Sequence, residues 1–149
     1  MCLSLWIGLL LAGCARSPEA RSAKFLANGK SLMSRKDYSR AVLEFRNAVS
    51  ATPHNPEAHY QLAVALFENG DYQNALASVS KTLQLDSAHT PARILQAQLL
   101  AASPDASMVA QAEKVAESVV AGTPDPAAFD TLALAEMRLG KLDDAEKHL

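Results

Sequence analysis

The side chains that could bind a transition metal in this chain are few and scattered. Imidazole and thiolate are the preferred ligands of such metals, and the sequence has four histidines and two cysteines. No two of them have the His-Glu-x-x-His or Cys-x-x-Cys spacing that brings two ligands to one ion. The sequence therefore predicts no metal site. The six residues are Cys2, Cys14, His54, His59, His89 and His148.

Other residues give no stronger indication of catalysis. Acidic neighbours such as Asp143 and Asp144 lie in stretches rich in Lys and Ala, which is typical of a solvated helix face. The sequence contains no glycine-rich phosphate loop and no Gly-x-Ser-x-Gly elbow. A formal net charge of −2 provides no basic stripe for nucleic acid. We expect a protein without catalytic residues, cofactor, small-molecule substrate or nucleic-acid partner. The enzyme alternative requires a catalytic domain beyond Leu149.

Small and large apolar residues recur every 34 residues from Ser22 onward. Two short amphipathic helices in each period cannot bury both apolar faces alone, so each pair must stack on a copy. Small residues let the helix backbones approach, and large residues fill the remaining gaps. Ser78 is expected on an exposed face. The recurring pairs are Phe25 and His59, Asn28 and Leu62, Gly29 and Ala63, Leu32 and Leu66, Tyr38 and Tyr72, Ala41 and Ala75, Phe45 and Val79, and Ala48 and Thr82.

Helix starts and turns predict the same segmentation. Asn55-Pro56, Thr90-Pro91 and Asp125-Pro126 each place a capping side chain before a proline at the first helical position. The turn between the helices of the second repeat has Gly70, where the first repeat has Lys36. In the third repeat, Ser103-Pro104-Asp105 is predicted to lengthen this turn by two or three residues. The alternative is a generic helical bundle of unrelated helices.

This pattern resembles the tetratricopeptide repeat family. Its 34-residue motif has a large residue at position 4, a small one at 8, Tyr near 17, Ala at 20, an aromatic residue at 24, Ala at 27 and Pro at 32, where this chain has Pro53. The resemblance implies an all-α solenoid of antiparallel helix pairs over residues 22–149. About three and a half repeats are expected, at residues 22–55, 56–89, 90–125 and, incomplete, 126–149.

The resemblance also implies a binding groove for protein partners. In this family, positions 2, 5, 9 and 12 of the first helix of each repeat line the concave surface. Family members that bind a C-terminal carboxylate have Lys at 5 and Asn at 9 in the first repeat, so a carboxylate clamp is not expected here. The groove residues that the resemblance implies are Leu26, Lys30, Met33, Glu57, Tyr60, Val64, Phe67, Ile94, Gln98, Leu134 and Met137.

The apolar row Tyr60, Val64 and Phe67 is the centre of this expected groove. Spacings of four and three residues place all three on one stripe of a helix. Leu62 and Leu66 of the same helix are expected to pack between helices, which leaves the stripe free to anchor a partner. The alternative is that these residues pack against further repeats or a capping helix.

The N-terminus resembles a bacterial lipoprotein signal. Residues 1–13 are uncharged and mostly apolar, too short a run to span a bilayer, and they end in Leu11-Ala12-Gly13-Cys14. The resemblance implies cleavage before Cys14, which then carries lipid. The usual basic residues before the apolar stretch are missing, which leaves open a translation start upstream of Met1. An ordinary secretory signal with a chance cysteine is the alternative.

By the same resemblance, Ala15 after Cys14 implies outer-membrane anchoring with the repeats in the periplasm. Residues 14–21 form the lipidated cysteine and its tether, whose seven residues after Cys14 reach at most about 25 Å. We expect an envelope assembly scaffold. Two short runs most resemble scaffolds of exopolysaccharide or exosortase-linked export. They are Phe-Leu-Ala-Asn-Gly-Lys from Phe25 and Phe-Arg-Asn-Ala-Val from Phe45. A purely structural homo-oligomer stays open.

Overall fold

The computed structural model describes residues 17–149, and this part of the chain is a row of eight α-helices without strands. The expected all-α solenoid of about three and a half repeats is therefore confirmed. The predicted signal peptide, Cys14 and the first part of the tether lie outside the described residues. The helices are α1 Pro18–Ser34, α2 Tyr38–Ala51, α3 Pro56–Glu68, α4 Tyr72–Leu85, α5 Thr90–Ala101, α6 Ala106–Gly122, α7 Pro126–Arg138 and α8 Leu142–His148.

Consecutive helices pack in pairs, and each pair stacks on the next. In the first three pairs the first helix contacts its own partner most extensively, and the second helix contacts the following pair. The exception is α7, which contacts α6 more extensively than the short α8. On the side formed by the first helices, α1 touches α3 and α5 touches α7 directly, whereas the backbones of α3 and α5 make sparser contact. The solenoid is therefore more open between its second and third helix pairs.

Small residues fill the contacts between helices. Ala41, Ala48, Ala63 and Ala75 are completely buried, so no atom can be added at these positions without moving a neighbour. Gly29 lies against the ring of Phe45, which is also completely buried. Close approach of α1 and α2 thus depends on the missing side chain of Gly29.

Capping side chains begin most of the helices, as the sequence predicts. The Asn55 side chain accepts a hydrogen bond from the N–H of Glu57 at 3.0 Å, and Asp125 accepts one from the N–H of Ala127 at 2.9 Å. Thr90 was expected to cap α5, but His89 does so by accepting from the N–H of Ala92 at 3.2 Å. The helix includes Thr90 as its first residue, which moves the capping position one residue earlier.

The inner turns of the first, second and fourth repeats each contain a left-handed residue. Gly70 and Gly140 have φ of 81° and 79°, and Lys36 adopts φ of 58° at the equivalent place in the first repeat. A side chain strains this conformation, which glycine adopts freely. The inner turn of the third repeat contains four residues, 102–105, which is one more than in the other repeats. The prediction of two or three extra residues in this turn was therefore wrong. The rest of the extra length lies in α6, which has 17 residues.

Ser78 was expected to be exposed, and this was wrong. It is half-buried because it faces a shallow cleft between α2, α3 and α4, which Arg46 and Lys81 also line. A side chain placed there must fit between neighbouring helices. Ser80, on the opposite side of α4, is exposed.

Candidate functional site

A cleft opens on the side of the solenoid formed by the first helices of the repeats, where α3 and α5 separate. It has a volume of about 320 Å³, at the small end of the range for ligand pockets. Tyr60, Val64 and Phe67 of α3 form one wall, and Ile94 and Gln98 of α5 belong to the opposite side. The structure thus brings five of the groove residues implied by the family resemblance into one cleft.

The three α3 side chains belong partly to the core and partly to the cleft. Each is half-buried, and each packs against the main cluster of buried residues while lining the cleft. As expected, Leu62 and Leu66 of the same helix are buried. The stripe is therefore not free of the core, and its exposed half is the surface that a partner can reach.

Aromatic neighbours hold the two rings of the stripe in place. The ring of Tyr60 lies 4.8 Å from that of His89, and the ring of Phe67 lies 5.6 Å from that of Tyr72, both in tilted arrangements. Such pairs are favourable beyond the area they bury. The rings are thus pre-positioned, which lowers the entropic cost of ordering them when a partner binds.

Ile94 differs from the expectation of an open groove residue. It is only 8% exposed, because it packs with Val119 of α6 and Ala128 of α7. It contributes an apolar edge to the cleft rather than an anchor surface. Gln98, one helical turn further along α5, is half-buried and lines the same cleft.

The remaining groove residues implied by the resemblance do not line this cleft. Leu26 and Met33 of α1 are half-buried and pack against the main core cluster. Leu134 and Met137 of α7 are 43% and 42% exposed. They extend an apolar surface along the first helices of the repeats without closing a pocket around it.

Lys30 and Glu57 form a bridge from the first repeat to the second. Lys30 Nζ donates to Glu57 Oε1 at 3.2 Å, and Gln61 donates to the same oxygen at 2.9 Å. His89 Nε2 lies 3.9 Å from the other oxygen of Glu57. Burial raises the pKa of the Tyr60 hydroxyl, and the nearby Glu57 carboxylate raises it further. Tyr60 therefore stays protonated and able to donate a hydrogen bond.

Five residues that the sequence reasoning did not select also line the cleft, and one of them is the buried Leu95. Pro91 and Ala127 occupy position 2 of their repeats, the position that Glu57 has in the second repeat, so the same register would have identified them. Glu68 and Asp125 lie at the end of α3 and directly before α7. No signal in the sequence marked these two carboxylates as neighbours of one cleft.

The described residues contain no cluster of three or more groups able to hold a metal ion. Residues 17–149 also contain no helix long and apolar enough to cross a membrane.

His59 packs between helices, as expected, and its Nε2–H donates to the Pro53 carbonyl at 2.9 Å. The geometry is suited to binding a side chain or a short segment.

Comparison with known proteins identifies the repeat. A tetratricopeptide repeat family model matches residues 26–90, which span most of the first two repeats. No curated protein sequence matches the chain. The structural likeness extends further than the sequence match, over 82–86% of this chain.

Three solved structures illustrate this likeness. MamA from Desulfovibrio magneticus RS-1, from its residue 41 to the end, is 26% identical, with a TM-score of 0.75 over 86% of this chain and 73% of that one. TTC0263, a tetratricopeptide protein of Thermus thermophilus, is 21% identical, with a TM-score of 0.76 over 85% and 70%. The first tetratricopeptide domain of Spaghetti, solved with the HSP90 peptide SRMEEVD, is 19% identical, with a TM-score of 0.75 over 82% and 95%. The fold is thus a tetratricopeptide solenoid.

Proposed function

We propose that this tetratricopeptide solenoid is an envelope scaffold that binds a segment of a protein partner in the cleft between α3, α5 and α7. The observation that carries the proposal is the apolar wall of Tyr60, Val64 and Phe67, which remains partly exposed to the cleft. Aromatic side chains that line a pocket are typical anchors of protein interfaces. The Spaghetti domain, which shares this fold, was solved with a bound peptide.

The partner segment differs from a C-terminal carboxylate ligand. Leu26 and Lys30 occupy the positions at which a carboxylate clamp has Lys and Asn, and Lys30 pairs with Glu57. The cleft itself has no Lys or Arg in its lining. An internal segment that inserts apolar side chains fits these features better.

Anchoring through Cys14 is the second part of the proposal. Leu11-Ala12-Gly13-Cys14 supports lipidation, and Ala15 supports the periplasmic face of the outer membrane as the location. Several acyl chains on one cysteine give stable membrane attachment, unlike a single chain. The runs from Phe25 and Phe45 support a role in exopolysaccharide or exosortase-linked export.

The cleft is tested by crosslinked pull-down from envelope preparations with Tyr60→Ala/Phe67→Ala. Both rings also pack against the core, so a lower melting midpoint is expected, and the comparison is made at a temperature where the variant remains folded by circular dichroism. Gln98→Arg blocks the cleft without removing core atoms. Partners should be lost in both. Leu43→Ala, at an α2 residue that is 57% exposed and outside the cleft, is the control and should retain them.

Partners that remain fully bound in both cleft variants would contradict a binding role for the cleft. Loss of partners in Leu43→Ala as well would assign the interaction to another surface or to general destabilisation. Retention with Leu43→Ala and loss with Gln98→Arg is the decisive combination, because Gln98→Arg leaves the aromatic core intact.

Lipidation is tested separately with labelled palmitate in a Gram-negative host. The wild-type chain should incorporate label and fractionate with the outer membrane, while Cys14→Ser should do neither. Label that persists in Cys14→Ser would refute attachment at this residue. Cys2→Ser is the matched control and should label normally, because Cys2 lies within the predicted signal segment.

A further inference from the structure

The charges around the cleft indicate which segment it selects. Resting on the function proposed above, we propose that the cleft binds a segment in which a branched or aromatic apolar side chain stands beside a lysine or arginine. The apolar side chain contacts Tyr60, Val64 and Phe67, and the basic side chain reaches Glu68 or Asp125 at the rim.

The cleft lining has two charged residues, and both are acidic. Glu68 is exposed at the end of α3, and Asp125 precedes α7. One oxygen of Asp125 accepts from the N–H of Ala127, and the second oxygen remains able to accept from a ligand. A cationic side chain entering the cleft would therefore meet a carboxylate at the end of α3 or at the start of α7, whereas an acidic one would be repelled.

The cations of the helices that build the cleft are directed elsewhere. Helices α3, α5 and α7 contain two residues of Lys or Arg, Arg93 and Arg138. Arg93 donates to Ser118 Oγ of α6 at 2.6 Å, and Arg138 donates to the Ala101 carbonyl. The Nδ1 atom of His89 faces the start of α5, where it accepts from the N–H of Ala92, and Nε2 lies 3.9 Å from Glu57 rather than at the rim. Glu68 lies near the Tyr38 hydroxyl of α2, whose pKa is raised by burial and further by the Glu68 carboxylate. Among the described residues neither rim carboxylate forms an ion pair with Lys or Arg, so both keep their charge for a ligand.

The apolar wall of the cleft is suited to the apolar side chain that stands beside the basic residue. A volume of about 320 Å³ is at the small end of ligand pockets, and it therefore suits one or two side chains rather than a whole helix. The faces of Tyr60 and Phe67 also favour a nearby cation, because the negative face of an aromatic ring attracts ammonium and guanidinium groups. Apolar and basic preferences are thus compatible at one site.

The test starts from a random peptide library displayed on phage and selected on the full chain. Enriched sequences should combine apolar or aromatic residues with Lys or Arg, and they should not bind Gln98→Arg. The enriched peptide is then synthesised with a fluorescent label, and its binding is measured by anisotropy. Replacing its Lys or Arg by Glu should abolish binding.

Charge at the rim is removed with Glu68→Gln/Asp125→Asn. Asn retains the ability to cap α7, so the helix start is preserved. Loss of these rim charges, one on an exposed residue and one on a partly buried residue, should weaken binding about fivefold and reduce its salt dependence. Asp143→Asn/Glu146→Gln makes the same charge change on exposed residues of α8, outside the cleft lining, and should leave the dissociation constant unchanged.

The outcomes separate this inference from the function on which it rests. Peptides that need the cleft but are acidic or neutral, or that bind the rim variant as well as wild type, overturn the charge preference and leave the binding role intact. Peptides that bind Gln98→Arg normally, or a selection that enriches none, overturn both. The inference is supported by basic apolar peptides that do not bind Gln98→Arg, that bind the rim variant more weakly than wild type, and that bind the α8 variant normally.

Discussion

Gly29→Ala is expected to separate the first two helices of the solenoid. A Cβ atom built at Gly29 would lie 2.6 Å from Cζ of Phe45 and 2.7 Å from Cδ1, far inside van der Waals contact. Phe45 is completely buried, so its ring cannot move into solvent. One added methyl group therefore forces α1 away from α2 or the ring out of its rotamer.

The size of the effect follows from two opposing contributions. Alanine stabilises a helix interior by up to about 1 kcal/mol relative to glycine. Overpacking in a filled core costs about 1–3 kcal/mol. With Phe45 held from all sides, the clash should outweigh the propensity gain, and the free energy of unfolding should fall by about 1–2 kcal/mol.

Urea unfolding followed by circular dichroism measures this difference, and the chain offers a matched control. Gly122 is the last residue of α6, and a Cβ built there meets no atom within 4 Å. Gly122→Ala should therefore leave the midpoint unchanged or raise it slightly. Equal shifts in the two variants would refute the argument, because the same chemical change would then act without regard to Phe45.

A double mutant makes the cause specific. Phe45→Leu removes the ring atoms that a Cβ at position 29 would meet, so Gly29→Ala should cost less in that background. The two changes should deviate from additivity by at least about 0.5 kcal/mol, as contacting residues do. Strictly additive losses would show that the destabilisation arises elsewhere.

Two further changes test the packing and the turns by urea unfolding. Ala75→Leu should cost about 1–3 kcal/mol because Ala75 is completely buried between helices, whereas Ser80→Lys on the exposed side of α4 should change stability by less than about 0.5 kcal/mol; equal midpoints would contradict the register. Lys36→Gly should stabilise the chain by about 0.5–1 kcal/mol, since φ of 58° strains a side chain and suits glycine. Gly70→Lys is its reciprocal control and should destabilise, and a loss of stability in Lys36→Gly would contradict the strain.

The 34-residue periodicity was sufficient to predict the solenoid, because each repeat buries its apolar helix faces in the same way. Ala41 and Ala75 stand at one position of the repeat and are both completely buried. Proline at the start of a helix was a reliable guide to its boundary, as the caps at Asn55 and Asp125 show. His89 was harder to predict, because histidine is not among the usual capping residues and its role depends on where Pro91 falls in the first turn.

The position of the cleft could not be predicted in the same way. A repeat register specifies which face of a helix points to the concave side, but it does not specify how far neighbouring helix pairs separate. The edge of the cleft at Ile94 is an example, because this side chain packs with Val119 of α6 and Ala128 of α7, so its burial depends on three helices at once. Glu68 and Asp125 become neighbours of the cleft only through that three-dimensional arrangement.

The second repeat is the part of the concave face best suited to dominate binding. Positions 5 and 12 of its first helix are Tyr60 and Phe67, whereas the first repeat has Leu26 and Met33 there. Interface energy is concentrated in a few aromatic residues that are held in well-packed surroundings. The two α3 rings meet this condition through their contacts with His89 and Tyr72. Since both rings also stabilise the core, the chain cannot lose these two proposed anchors without losing stability, and the proposed binding surface and the fold constrain the same two residues.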